Sequence, residues 1–489
     1  MTLSRKLIMS ATLLVPTLLV YFVMAQRLPM TADDYSYLYQ AKLFASGKLY
    51  AEDRLYDPGL PFYDCLQTSC MKDDQGHRFS KYAPGWPLIL SVGVKLGVPW
   101  IVDPLLGVLL FFLMLRYTER RLGEKSVRVV YGLVLLCFFF AYYAASVRAH
   151  FAAAIFIFGA FLLYDSSHTN PESSKLRLLT AGALLGCSAM IRYIDWIPLA
   201  VWIGVGLLRR KRFADLLLFG IGFALFASGN LVYNKLLTGD PFIVPAGLYH
   251  SPSDTSDRLL ISLKGFSVTA ARLATLVWVF PPVLLLGVLW KHYSLSPTMK
   301  MCLALFAMNV AVYFLYPDGI GGPGPRYFFA YFPFLVLAIA DLYRLTNSSH
   351  SPIARWFWNL AIAAQVVCSI VFAWRGAHIM YARRDLERTV QRVQGGKNIF
   401  LLKPRVHHTG TGDLTRNPPA LASAENLFFK WCDQPARDAL LQFFPGRRVF
   451  IYEYPGHLSP YASTSESTNL TSSRVRVRAN SLGKLHRAL

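Results

Sequence analysis

Charge is scarce in this chain of 489 residues: Asp, Glu, Lys and Arg make up 16% of it against 54% hydrophobic residues, and mean hydropathy is +0.36. That shortage excludes an ordinary soluble protein, in which about a quarter of the residues are charged. Acids are scarcer still, 28 Asp and Glu against 50 Lys and Arg, which leaves a formal charge of +22. In a soluble chain such an excess would suggest nucleic acid, but no zinc-type cysteine cluster, Walker loop or RNP-like aromatic motif supports that reading. In so apolar a chain the anionic partners that fit are phospholipid headgroups and lipid-linked phosphates. Internal repeats are missing and charges within the apolar runs nearly so, which counts against the chief rival reading, a transporter or flippase for an anionic lipid or solute.

What the chain does have is a regular series of apolar runs. The first, 7–25, follows Arg5 and Lys6 and has the length of a span; Val23 and Ala25 also fit a signal-peptide cleavage rule, but the run is long for one. The piece 86–100 is interrupted by Lys95, Gly97 and Pro99, is too short to cross, and reads as a helix lying in the interface. Runs at 101–116, 129–145, 151–164, 177–191, 194–208, 214–233, 273–290, 301–316, 327–342 and 356–374 bring the expectation to about eleven spans. With a cytoplasmic N-terminus, the basic turns around 116–128, 175–177, 209–212, 291–300 and 344–355 all fall on the cytoplasmic side. The long irregular loops then face outward, where chemistry on a rigid scaffold concentrates.

The expected fold is therefore an all-α polytopic membrane protein with a small mixed α/β extracytoplasmic domain at its C-terminus. Residues 1–375 form the membrane part, with 26–100 as its first outer loop; 376–394 read as a linker helix, 395–461 as the small domain, and 462–489 as a disordered basic tail.

Within the first loop, Asp33 and Asp34 follow the first span directly. Ionised groups held near a bilayer are costly without a partner or a task, so the pair marks a candidate catalytic site; the alternative is a solvated loop whose acids only keep it in water. Adjacent residues point in different directions, so one is expected to be the working carboxylate and the other a supporting or capping residue. The preference falls on Asp34, which precedes the Tyr35-Ser36-Tyr37 run. Outer-side cations for a phosphate are Lys81, Arg148, Arg192 and Arg326, joined in the candidate substrate-binding set by Tyr82, His150 and Tyr327. Arg326 leads, because the glycines before it let backbone N–H groups approach an anion and its guanidinium is bidentate. For Lys81 and Arg326 the alternative is snorkelling at a span boundary. Tyr35, Tyr37 and Tyr39 suit either a sugar face or an aromatic belt. Cys65 and Cys70 are expected to form a disulfide, which leaves Cys432 unpaired; zinc is not expected there, since His77 is the sole obvious third ligand.

The order of these features, a first span, then ADDYSYLYQAKLFASGKLY, then KYAPGWP leading into an interfacial helix and a second span, resembles the GT-C superfamily of membrane glycosyltransferases. Within it the likeness is to bacterial relatives of protein O-mannosyltransferases and of the lipid A aminoarabinose transferase. The segments GGPGPRYFFAYFPFLVLAIA and NKLLTGDPF also resemble stretches of many bacterial members. The likeness covers roughly 1–375, and the tail is similar to the C-terminal extracytoplasmic domain of some members. It implies inverting transfer of a sugar from a polyprenyl-phosphate-linked donor to an acceptor at the outer face, with a bacterial inner membrane as the natural setting. It also implies that the first-loop acid, Asp33 or Asp34, is a catalytic base or a metal-associated carboxylate, which leaves a divalent metal ion open as a cofactor. One departure stands out: where many relatives carry a second acid between the third and fourth spans, this chain has Arg148 and His150. His150 either substitutes as ligand or proton acceptor or is only a polar tip, and a structural subunit without catalysis stays open on that account.

Overall fold

The computed structural model describes residues 1–52, 59–66, 71–74, 76–167, 174–249, 263–289, 293–316, 324–348, 351–393, 395–403 and 414–461. A first helix α1 (Leu3–Met24) leads to α2 (Ala32–Ala45), strands β1 (Ala51–Glu52), β2 (Met71–Asp74) and β3 (His77–Ser80), and helix α3 (Gly85–Lys95). Then come α4 (Pro99–Leu122), α5 (Glu124–Leu135), α6 (Phe138–Ala145), α7 (His150–Ser166), α8 (Ser174–Ile191), α9 (Ile197–Arg209) and α10 (Phe213–Thr238). They are followed by α11 (Leu263–Val279), α12 (Pro281–Leu289), α13 (Pro297–Phe314), α14 (Arg326–Ser348), α15 (Pro352–Ile379) and α16 (Tyr381–Gln391).

Among the described residues seven helices are long and apolar enough to cross a membrane, and two bent pairs and the shorter apolar helices α7 and α9 occupy the remaining apolar runs. Two expected spans are not straight. The run 129–145 is broken between α5 and α6, which meet at 63°, and the run 273–290 is bent by 108° between α11 and α12. Pro281 and Pro282 cause the second break, since neither supplies an N–H and each ring clashes with the preceding turn. Helix α11 also begins at Leu263, inside what the sequence suggested was loop. Helix α3, 11 residues long, extends only about 16 Å, half of a hydrocarbon core, as the interfacial reading requires. It lies against α2, where Trp86 and Leu90 pack on Tyr37 and Ala41 and the Trp86 indole N–H donates to the Val147 carbonyl at 2.8 Å.

The basic turns gather with the N-terminus. The Met1 amino group meets Glu119 at 2.6 Å, Lys6 pairs with the same carboxylate, Arg121 meets Asp165 at 2.5 Å, and Arg212 meets Asp215 at 2.5 Å and Ser174 at 2.7 Å. At the other end lie the first-loop elements and the C-terminal domain, which comprises β4 (Asn398–Leu402), β5 (Asn426–Lys430), α17 (Gln434–Phe443), β6 (Arg448–Glu453) and β7 (His457–Pro460). Its sheet has the order β5-β4-β6-β7, parallel except for β7, with Phe400 in register between Phe428 and Phe450. Every residue of the central strand β4 is buried, because both faces are covered. Phe400 and Leu402 face Leu386 and Val390 of α16, whereas Ile399 and Leu401 face Leu440 of α17 and Tyr39, Leu43, Phe62 and Leu66 of the first loop.

The small domain is thus fused to the first loop by a shared apolar core. A disulfide crosses the same junction: Cys65 is bonded to Cys432, their Cα atoms 5.5 Å apart. The expected Cys65–Cys70 bridge is therefore wrong in its partner, and Cys70 itself lies outside the described residues. Proximity in sequence gave the wrong answer because folding of the C-terminal domain onto the loop brings together cysteines 367 positions apart.

Candidate active site

The site is built from the first turn of α2. Thr31 is its N-cap, accepting from the Asp34 N–H at 3.3 Å, while the Asp34 carboxylate reaches back to accept from the N–H groups of Met30 (2.8 Å) and Thr31 (2.9 Å). This reciprocal capping box satisfies amides that the first helical turn leaves without intrahelical partners. The other Asp34 oxygen accepts from Arg148 Nε at 3.1 Å, and both side chains of this ion pair are buried. Burial pushes the Asp34 carboxyl above the usual carboxylate range, against the pull of the Arg148 guanidinium. Asp34 is thereby the capping residue of the acidic pair, the reverse of the preference drawn from sequence.

Asp33 points the other way, into a cavity of about 180 Å³. Its Oδ1 accepts from the Tyr82 hydroxyl at 2.7 Å and its Oδ2 from Arg326 Nη1 at 2.9 Å, and both the carboxylate and the guanidinium keep about a fifth of their surface exposed. Lys81, Tyr82, His150, Arg192, Arg326 and Tyr327, all singled out in the sequence, line the same cavity with Asp33. Asp34 and Arg148 do not line it; they lie behind it as the buried pair.

Arg192 is held in position by its own support. Its Nε donates to Asp195 Oδ2 at 2.5 Å and its Nη2 to the Tyr313 hydroxyl at 3.0 Å, and that hydroxyl donates in turn to Asp195 Oδ1. Arg326 Nη2 donates to the Tyr327 hydroxyl at 2.9 Å. The Tyr327 ring serves as a common surface for cations, with guanidinium carbons of Arg272, Arg326 and Arg192 at 4.4, 4.9 and 5.9 Å from its centroid. Tyr37 stacks on Tyr82 at 4.3 Å, and Lys81 reaches over the other phenol at 5.5 Å. His150 is buried at the start of α7, and neither of its ring nitrogens has a hydrogen-bond partner among the described residues.

Sequence reasoning left out Tyr193, Tyr313 and Tyr316, which line the cavity, and Arg272, which is buried and donates to the carbonyls of Tyr313 (2.9 Å) and Tyr316 (3.1 Å). A buried arginine at the end of an apolar run was the available signal for Arg272; the tyrosines are indistinguishable in sequence from a membrane-interface belt.

Chemically, this arrangement offers one partly exposed carboxylate surrounded by fixed cations. Such a site can accept a proton at Asp33 while Lys81, Arg192 and Arg326 hold an anion beside it. It does not fit a divalent metal. Among the described residues no three His, Cys, Asp or Glu side chains converge, and the Arg326 guanidinium already sits against the Asp33 carboxylate.

No protein-family model matches the chain, and no curated protein matches its sequence. Among solved structures it superposes on ArnT from Cupriavidus metallidurans bound to undecaprenyl phosphate, with a TM-score of 0.55 and 13% identity over 90% of this chain and 92% of that one. The fold is similar to that of ArnT. The apo state of ArnT gives a TM-score of 0.49 at 14% identity over the same shares of the two chains. The expected architecture, a polytopic helical membrane protein carrying a small C-terminal α/β domain, is present, and a likeness over 90% of the chain reaches past residue 375.

Proposed function

We propose that this protein is a glycosyltransferase that moves a sugar from a polyprenyl-phosphate-linked donor to an acceptor hydroxyl, in the cavity that Asp33 lines. The single observation that carries this reading is the pairing of an accessible carboxylate with converging, structurally supported cations at one small cavity of an ArnT-like membrane fold. That ArnT itself was crystallised with undecaprenyl phosphate supports a polyprenyl phosphate as the departing group.

In this mechanism Asp33 accepts the acceptor hydroxyl's proton as the new bond forms from that oxygen to the anomeric carbon. The bond from the anomeric carbon to the phosphate oxygen breaks, and the polyprenyl phosphate leaves with the electron pair. Attack opposite the departing phosphate inverts the anomeric centre. Arg326 and Arg192 stabilise the charge that develops on the phosphate, where fixed donors are most effective because they need no reorganisation. Tyr82 and Arg326 hold the Asp33 carboxylate in orientation through its two oxygens.

The site end is assigned to the extracytoplasmic face. A disulfide between Cys65 and Cys432 persists in an oxidising compartment, and the basic turns lie at the opposite end. The setting that fits both is the outer leaflet of a bacterial inner membrane. The test is to incubate the purified protein with a panel of polyprenyl-phosphate sugars and measure release of free polyprenyl phosphate. Consumption of at least one donor supports the proposal, and consumption of none in the presence of lipid, protein and glycan acceptors refutes it.

A further inference from the structure

A second and larger cavity, about 380 Å³, lies at the end of the helical domain away from Asp33. It runs along α5 between α14 and α15. Lys125 and Arg128 stand at its mouth, and neither has a hydrogen bond or ion pair among the described residues. From Lys125 the groove follows α5 to Leu136, eleven residues and about 16 Å along a helix axis. Val129, Leu133, Leu136 and Ile362 make most of its wall over that length apolar, and Tyr343, Asn347 and Gln365 also line it. Leu136 and Ile362 are also exposed on the outer surface of the helical domain, 38% and 42%, so the groove opens sideways toward the bilayer. A Cβ built at Gly132 meets nothing within 4 Å, which leaves the middle of the groove open.

A soluble anion would match the mouth but not the apolar length or the lateral opening. A neutral lipid would match the length but leave two cations idle. We infer that this groove binds an anionic phospholipid, with the headgroup phosphate on Lys125 and Arg128 and one acyl chain along Val129, Leu133 and Ile362 toward the break between α5 and α6. Two basic side chains at a membrane surface attract an anionic headgroup, while the chain removes the apolar walls from contact with anything wetter. The site shares no residue with the Asp33 cavity, so it stands or falls independently of the proposed transfer reaction.

The test is native mass spectrometry of the full-length protein, purified in detergent and titrated with phosphatidylglycerol or phosphatidylcholine of matched chains. The wild type is expected to bind phosphatidylglycerol in preference, Lys125→Gln with Arg128→Gln to lose that preference by roughly tenfold or more, and Gly132→Phe to lower occupancy by filling the groove. Both altered surfaces are exposed or open, so the fold is retained. Equal binding of the two lipids by the wild type, undiminished phosphatidylglycerol binding by the double variant, or undiminished binding by Gly132→Phe would each overturn the inference.

Discussion

Asp33 and Asp34 are neighbours in sequence with opposite circumstances in the structure, and the contrast gives the sharpest residue-scale expectation. Asp34→Asn keeps an oxygen for the two capping N–H groups but removes the charge facing Arg148, which is left buried and uncompensated. Breaking a buried pair from one side costs about 3–5 kcal/mol, so this variant is expected to show a clearly lower melting temperature in detergent. Asp33→Asn should melt like the wild type, because its carboxylate is partly exposed and meets its partners at the cavity wall. Equal melting of wild type and Asp34→Asn would show that the buried ion pair with Arg148 is misassigned. The clue was present in the sequence: Thr31 stands three residues before Asp34, the spacing of a capping box, and an acid at that position faces back toward the helix start rather than outward. Lys81, Arg192 and Arg326 were legible because cations at span boundaries are few, whereas Arg148 was legible as important but not as the internal partner of Asp34.

At the scale of elements, the spans could be read from apolar length, but their internal breaks could not. Pro281 and Pro282 announce one break; the other, between Leu135 and Phe138, has no proline, and there the Ser369 hydroxyl donates to the Leu136 carbonyl at 2.6 Å and accepts from the Phe138 N–H at 3.2 Å. That second break sets α6 against the start of α14, where Gly324 precedes Arg326. Gly324 has φ +80°, and a Cβ there would fall 2.4 Å from the Phe139 ring. Gly324→Ala is therefore expected to displace the turn that carries Arg326 and Tyr327, reducing turnover by about tenfold or more while the helical content by circular dichroism is unchanged. The Cys65–Cys432 bridge belongs to the same scale. Neither cysteine should react with a maleimide before reduction, and replacing both with serine should lower stability by roughly 2–5 kcal/mol; labelling of both without reductant would exclude the bridge. Its partner could not be read from the sequence because it depends on the C-terminal domain docking on the first loop, a contact between the most distant parts of the chain.

For the whole molecule, the alternation of basic turns carried enough information to place the N-terminus and the acidic loop at opposite ends, since Lys6, Arg121 and Arg212 all gather away from Asp33 in ion pairs of their own. Reporter fusions after Gly123 and Arg210 are expected to report cytoplasm, and one after Gly395 the outer compartment; a cytoplasmic signal at Gly395 would overturn the orientation. What the sequence could not supply is the unity of the candidate cavity, to which α2, the turn after β3, the start of α7, the turn after α8, α13 and the start of α14 each contribute a side chain. The central claim is that Asp33 is the base in that cavity, and it is tested most directly by the rate at which polyprenyl phosphate is released from the donor, measured side by side for the wild type and Asp33→Asn at equal folded protein. A fall of a hundredfold or more, the usual scale for loss of a general base, with unchanged melting temperature, is the predicted result; equal rates would contradict it.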